Sequence, residues 1–118
     1  MLIAVDVDGT LEVGDPPGPV KIQTLANICR SSPPGVVIVS DSYLKVWRRT
    51  DLTGHLIPAC AVPSGKIARL KALRSEYPAE GRYVMVGDSD EDAEAAREAG
   101  YEYMTPQQFA EALERGLV

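Results

Sequence analysis

Short, nearly unbroken apolar runs alternate along this chain with stretches in which apolar residues recur every three or four positions. Leu2 to Val5, Val36 to Val39, Ile57 to Val62, Tyr83 to Val86 and Tyr101 to Met104 are too short for helices and read as strands. Between them, Ile22, Leu25, Ala26 and Cys29 fall at helical spacing, as do Ile67, Leu70, Leu73 and Tyr77, and a further helix is predicted across Ser42 to Thr50. Asp90 to Ala99 reads as a helix stopped by Gly100. Thr105 as N-cap, Pro106 at the first position and Gln108 closing a capping box open a last one. The order is βα repeated five times, which predicts an α/β fold with a largely parallel sheet covered on both faces, and Val/Ile-rich strands buried on both sides suit it. The cluster Gly14-Asp15-Pro16-Pro17-Gly18-Pro19 reads as a turn-rich loop rather than a linker, so one domain over residues 1–118 is expected.

In an open α/β sheet the ligand site lies off the carboxyl ends of the strands. There the predicted elements place Asp6 and Asp8 after the first strand, Ser40 after the second, Lys66 at the helix start after the third, and Gly87-Asp88 with Asp92 after the fourth. Asp6, Asp8, Asp88 and Asp92 crowd one rim, and carboxylates roughly 4 Å apart repel by about 4 kcal/mol at an effective dielectric of about 20. Either some of them take up protons or a divalent cation neutralises them. An oxygen-only ligand set favours Mg²⁺, which takes one or two carboxylates and keeps room for a substrate phosphate. Ser40, Lys66 and backbone N–H groups around Gly9 and Thr10 would then receive the phosphoryl oxygens. A carboxylate can attack phosphorus in line while a second carboxyl protonates the leaving alkoxide and later activates water, roles that suit Asp6 and Asp8.

Asp6-Val7-Asp8-Gly9-Thr10 after an apolar strand, Ser40 closing Val36-Val37-Ile38-Val39, Lys66, and Gly87-Asp88-Ser89-Asp90-Glu91-Asp92 resemble, in order, the four motifs of the haloacid dehalogenase (HAD) superfamily. The resemblance spans residues 1 to about 105. It implies a Rossmann-like three-layer sandwich with five strands in spatial order 5-4-1-2-3. It also implies Asp6 as nucleophile, Asp8 as general acid/base, and Mg²⁺ held by Asp6, Asp88 and the Asp8 carbonyl with Asp92 in support. Members that cleave carbon–halogen bonds lack an acid at the position of Asp8, so the resemblance is to a phosphatase or phosphotransferase. The gaps between motifs hold 29 residues (11 to 39) and 25 residues (41 to 65), each already committed to a helix and a strand. An inserted cap with its own core needs about 40 residues or more. No cap domain is expected, only a short flap at Leu11 to Pro19. Capless relatives take phosphate exposed on macromolecules, such as phosphoproteins or polynucleotide ends, or cover the site with a second subunit, so a homo-oligomer is one expected way of closing it.

Charge and composition trim these readings. The net charge of −5 disfavours a protein built to hold nucleic acid, although seven of the twelve cations lie between Lys45 and Arg74. That stretch reads as solvated helix faces rather than a docking surface. Eleven of the seventeen acids lie from Glu76 onward, and Asp90, Glu91 and Glu94 are explained by a helix N-terminus, which negative charge stabilises. Cys29 and Cys60, without a C-x-x-C pattern, read as packing residues. With five residues before the first charge and no apolar stretch of membrane-span length, a cytoplasmic, membrane-free protein is expected. Ser40 shares its region with Asp41 and Ser42 as rival phosphate ligands, and Lys66 competes with Lys45 and Lys71 for the lysine role. His55 reads as non-catalytic and Trp47 as a half-buried helix residue. A receiver-like phosphoaspartate domain would need an acid at the end of strand three, where Pro63-Ser64 stands instead. A catalytically inactive binding module on the same fold is the remaining alternative.

Overall fold

A computed structural model describes residues 1–12, 14–31, 35–40, 59–61 and 65–116. Five strands, β1 (Leu2–Val5), β2 (Val36–Ser40), β3 (Ala59–Ala61), β4 (Tyr83–Val86) and β5 (Glu102–Met104), alternate with four helices, α1 (Ile22–Ser31), α2 (Lys66–Glu76), α3 (Asp90–Ala99) and α4 (Pro106–Glu114). The helix expected over Ser42 to Thr50, with Lys45 and Trp47, lies outside the described residues, as do His55, Ile57, Pro58 and Val62 to Ser64. All four strand pairings are parallel, and the strands lie in the order β3-β2-β1-β4-β5, which from the β5 edge reads 5-4-1-2-3.

Period-2 alternation in the central strands builds two cores from one sequence. Ile3, Val5, Val36, Ile38, Val84 and Val86 face one side, where Leu25 and Ala26 of α1 and Phe109 of α4 cover them. Leu2, Ala4, Val37, Val39 and Met85 face the other, under Leu70 and Leu73 of α2 and Ala95, Ala96 and Ala99 of α3. Every residue of β1 is buried, as a middle strand sandwiched between two helical layers must be.

The helix boundaries follow local chemistry. In α4 the Thr105 side chain accepts from Gln108 N at 3.1 Å while Gln108 Oε1 accepts from Thr105 N at 2.9 Å, the capping box expected from the sequence. Gly100, in the left-handed region, closes α3, and Ser89 caps its start by accepting from Asp92 N at 3.2 Å. Tyr101, expected to begin β5, instead donates its N–H to Ala96 O and belongs to the helix closure, so the strand starts one residue later. Two arginines of the cationic stretch make contacts within the fold. Arg69 pairs with Glu76 at 3.1 Å, and Arg74 donates to Gly100 O at 3.1 Å and lies 4.9 Å from the centre of the Tyr83 ring. Cys29 packs against the core with its Sγ 3.7 Å from Val36 O. No helix among the described residues is long and apolar enough to cross a membrane.

Candidate active site

Parallel pairing brings the carboxyl ends of β1 and β4 side by side. Asp6 N–H donates to Val86 O at 3.0 Å, so the first residue past β1 is tied to the last residue of β4, and Gly87-Asp88 follows directly. Asp92 sits one turn into α3 and is wholly buried. Asp6, Asp88 and Asp92 each present a carboxylate oxygen within 4.8 Å of the other two. Lys66, the first residue of α2, sends its ammonium between two of them, 3.0 Å from Asp6 Oδ1 and 2.6 Å from Asp92 Oδ1. Lys71, a rival on the same helix, is not in this cluster.

Two glycines permit the crowding. Gly9, at φ 72°, faces the Asp88 carboxylate so closely that a Cβ there would collide with it. Gly87 faces the Asp92 carboxylate, and a Cβ would come within 2.6 Å of Asp92 Cβ. The backbone can therefore approach the acids only where side chains are missing.

The electrostatics follow from burial. Desolvation pushes the Asp6 carboxyl up, Lys66 pulls it back and Asp92 raises it again, leaving it at about 6 against an ordinary 3.8. Burial pulls the Lys66 ammonium down, but Asp6 and Asp92 outweigh that and hold it above its ordinary range. Tyr103 is raised by burial and by the acids Asp92, Asp88, Asp90 and Asp6, so their field reaches the end of β5.

Between pH 3.8 and about 6 the folded chain binds more protons at Asp6 than the unfolded chain does. Stability of the chelator-treated protein is therefore expected to fall as pH rises through that window. The contribution of Asp6 is about 3 kcal/mol, at 1.36 kcal/mol per pKa unit. It is measured as the difference between wild-type and Asp6→Asn urea midpoints from pH 4 to 7, and a difference that does not change with pH would contradict it.

Several features point to a bound cation. Asp92 Oδ2 is buried with no hydrogen-bond partner among the described residues, an expensive state for a carboxylate oxygen, and it stands in a cluster made only of oxygen donors. One lysine against three acids leaves negative charge in excess. Asp6, Asp88 and Asp92 fit a hard divalent metal on these grounds.

Asp8 lies outside that carboxylate group, and its Oδ1 accepts the N–H of Asp15 from the flap at 2.9 Å. The Gly9 N–H, expected to meet phosphate, donates to Pro16 O at 2.6 Å. The Thr10 N–H, also expected there, donates to Val7 O at 3.2 Å. The flap thus occupies groups that the sequence reading assigned to the substrate. Ser40 ends β2 at the same rim, level with Ala61 of β3, while its rivals Asp41 and Ser42 lie outside the described residues. Two contributions escaped the sequence reading. Glu12 Oε1 accepts from Ile22 N at 3.2 Å, fastening the flap to the start of α1, and the Tyr103 hydroxyl donates to Gly87 O at 2.6 Å. Neither carries a local signal, since each pair meets only in the folded chain.

A family model described as HAD-hydrolase-like matches residues 59–105. No curated protein and no solved structure matches the chain. The matched segment runs from β3 to the N-cap of α4 and carries Lys66, Asp88 and Asp92, the three residues that the fold gathers around Asp6. That segment is similar to HAD-like hydrolases, and the Asp6-x-Asp8-Gly9-Thr10 run at the end of the central strand lies beside it in the fold.

Proposed function

We propose that this protein is a Mg²⁺-dependent phosphomonoesterase that works through a phosphorylated Asp6, on a small molecule or on a phosphate exposed by a macromolecule. The observation that carries the reading is the convergence of Asp6, Asp88 and Asp92 on one point, with Lys66 bridging two of them and one Asp92 oxygen still unpartnered. A Mg²⁺ ion held by Asp6 and Asp88, with the Asp8 carbonyl and with Asp92 in support, would offset the carboxylate charge and accept a phosphoryl oxygen.

The chain's own groups supply the rest. In the metal-free protein, burial holds the Asp6 carboxyl at about 6, so it is mostly ionised at neutral pH, and a bound cation would favour the carboxylate further, leaving Asp6 in the charged form that attacks phosphorus. As the Asp6 oxygen bonds to phosphorus, the bond to the ester oxygen breaks and Asp8 gives that oxygen its proton. Asp8 then takes a proton from the water that attacks the aspartyl-phosphate, freeing inorganic phosphate and restoring Asp6. Asp8 accepts the Asp15 N–H of the flap and is not one of the three clustered carboxylates. Lys66 neutralises the acids around Asp6 and lowers the repulsion met by an incoming phosphate. Ser40 at the end of β2 supplies a hydroxyl to the phosphoryl oxygens, with a rearranged flap releasing the Gly9 N–H for the same use.

Chelator-treated protein should be inactive toward a panel of aryl, sugar, nucleotide and phosphopeptide esters, and Mg²⁺ should restore hydrolysis of at least one. No turnover with Mg²⁺ across the panel would refute the phosphatase reading.

A further inference from the structure

Gly87 stands immediately before Asp88, and glycine is the residue with the most backbone freedom to lose. Asp88 needs that freedom removed, because its exposed side chain makes no hydrogen bond or ion pair with any described residue and is held only by its close approach to Gly9. The removal comes from β5. The Gly87 N–H donates to Met104 O at 3.3 Å and the Gly87 carbonyl accepts the Tyr103 hydroxyl at 2.6 Å, so both polar groups of the peptide are tied to adjacent residues of the edge strand. On its other side the same glycine lies against the Asp92 carboxylate with no room for a Cβ. Gly87 is thus clamped between Tyr103 and Asp92, and Asp88 leaves the sheet in one direction.

From this geometry we infer that Tyr103 is a positioning residue of the site, its hydroxyl holding the Gly87 carbonyl so that Asp88 is aimed at the oxygens of Asp6 and Asp92. The inference rests on the reading of that cluster as a Mg²⁺ site. Removing the hydroxyl leaves Asp88 in place but less constrained, and supporting groups of this kind are typically worth 10–100-fold in metal affinity.

The test is Mg²⁺ binding to the chelator-treated full chain by isothermal titration calorimetry, which needs no substrate. Tyr103→Phe is expected to raise the Mg²⁺ dissociation constant by roughly tenfold, with the thermal midpoint of the metal-free protein within a few degrees of wild type. Tyr83→Phe is the matched control, since the Tyr83 hydroxyl also donates to a backbone carbonyl, that of Tyr77, away from the acids. It should bind Mg²⁺ as wild type does. Asp88→Asn should lose most of the affinity. A Tyr103→Phe protein that binds Mg²⁺ like wild type, while Asp88→Asn does not, overturns the role of Tyr103 and leaves the metal site standing. Equal weakening by Tyr103→Phe and Tyr83→Phe overturns it as well, because general loosening would then account for both. A wild-type protein that binds no Mg²⁺ removes the metal reading and the inference together.

Discussion

Asp6→Asn should lower phosphate-ester turnover by at least about 10³-fold while leaving the metal-free protein as stable as wild type or more so. The two halves have one cause. Asp6 is 9% exposed, and its burial disfavours the charge that the proposed attack on phosphorus needs. An amide of the same shape is not a nucleophile, so the covalent step is lost. It also carries no charge to desolvate, so the fold is relieved of a cost that it bears at neutral pH. Opposite signs for activity and stability are the mark of a group retained for chemistry. Steady-state assays with Mg²⁺, paired with urea melts at pH 7, read both. Undiminished turnover would remove Asp6 as nucleophile, and a fall in stability matching the fall in activity would reassign it to a structural role.

Lys66→Met carries the opposite expectation for stability. Its ammonium is 11% exposed and bridges Asp6 and the 1% exposed side chain of Asp92, so a methionine of similar length leaves two acids facing each other without a cation. Breaking a buried pair by removing one partner costs about 3–5 kcal/mol, which for a chain of this size lowers the melting midpoint by on the order of 10–20 °C. The deficit should shrink as pH falls toward about 6, because Asp6 without the ammonium takes up a proton at higher pH than in the wild type and the repulsion eases. It should shrink also on adding Mg²⁺, since without the ammonium the acids attract the cation more strongly and its binding stabilises the variant more than the wild type. Melts at pH 5 and pH 7.5, with Mg²⁺ and with chelator, separate these effects. Wild-type stability in the variant at pH 7.5 without metal would mean that the bridge contributes nothing to the fold.

These expectations draw on different amounts of the sequence. Leu2 to Val5 can be read as a buried strand from four consecutive apolar residues, and Thr105, Pro106 and Gln108 announce the start of α4 through chemistry confined to one turn. Asp6, Asp8, Lys66, Asp88 and Asp92 were legible as candidates because each stands where an apolar run ends or a helix begins. Lys66 stands out from Lys45 and Lys71 by its place at a helix start, but no local pattern indicates that its ammonium meets Asp6 and Asp92. The flap went differently. Its Pro/Gly cluster signalled turns, but nothing in it indicated that Asp15 N–H would bond Asp8 or that the Pro16 carbonyl would take the Gly9 amide expected to hold phosphate.

The sequence by itself determined the alternation of strands and helices, two of the helix caps and the residues at the strand ends, because periodicity and capping depend on neighbours a few positions apart. The tertiary structure decided which of those residues meet. Lys66 reaches across 60 positions to Asp6 and 26 to Asp92, and Tyr103 across 16 to Gly87. Such contacts depend on how strands dock beside one another and how close two backbones come where glycine omits a side chain, and no local pattern encodes that distance.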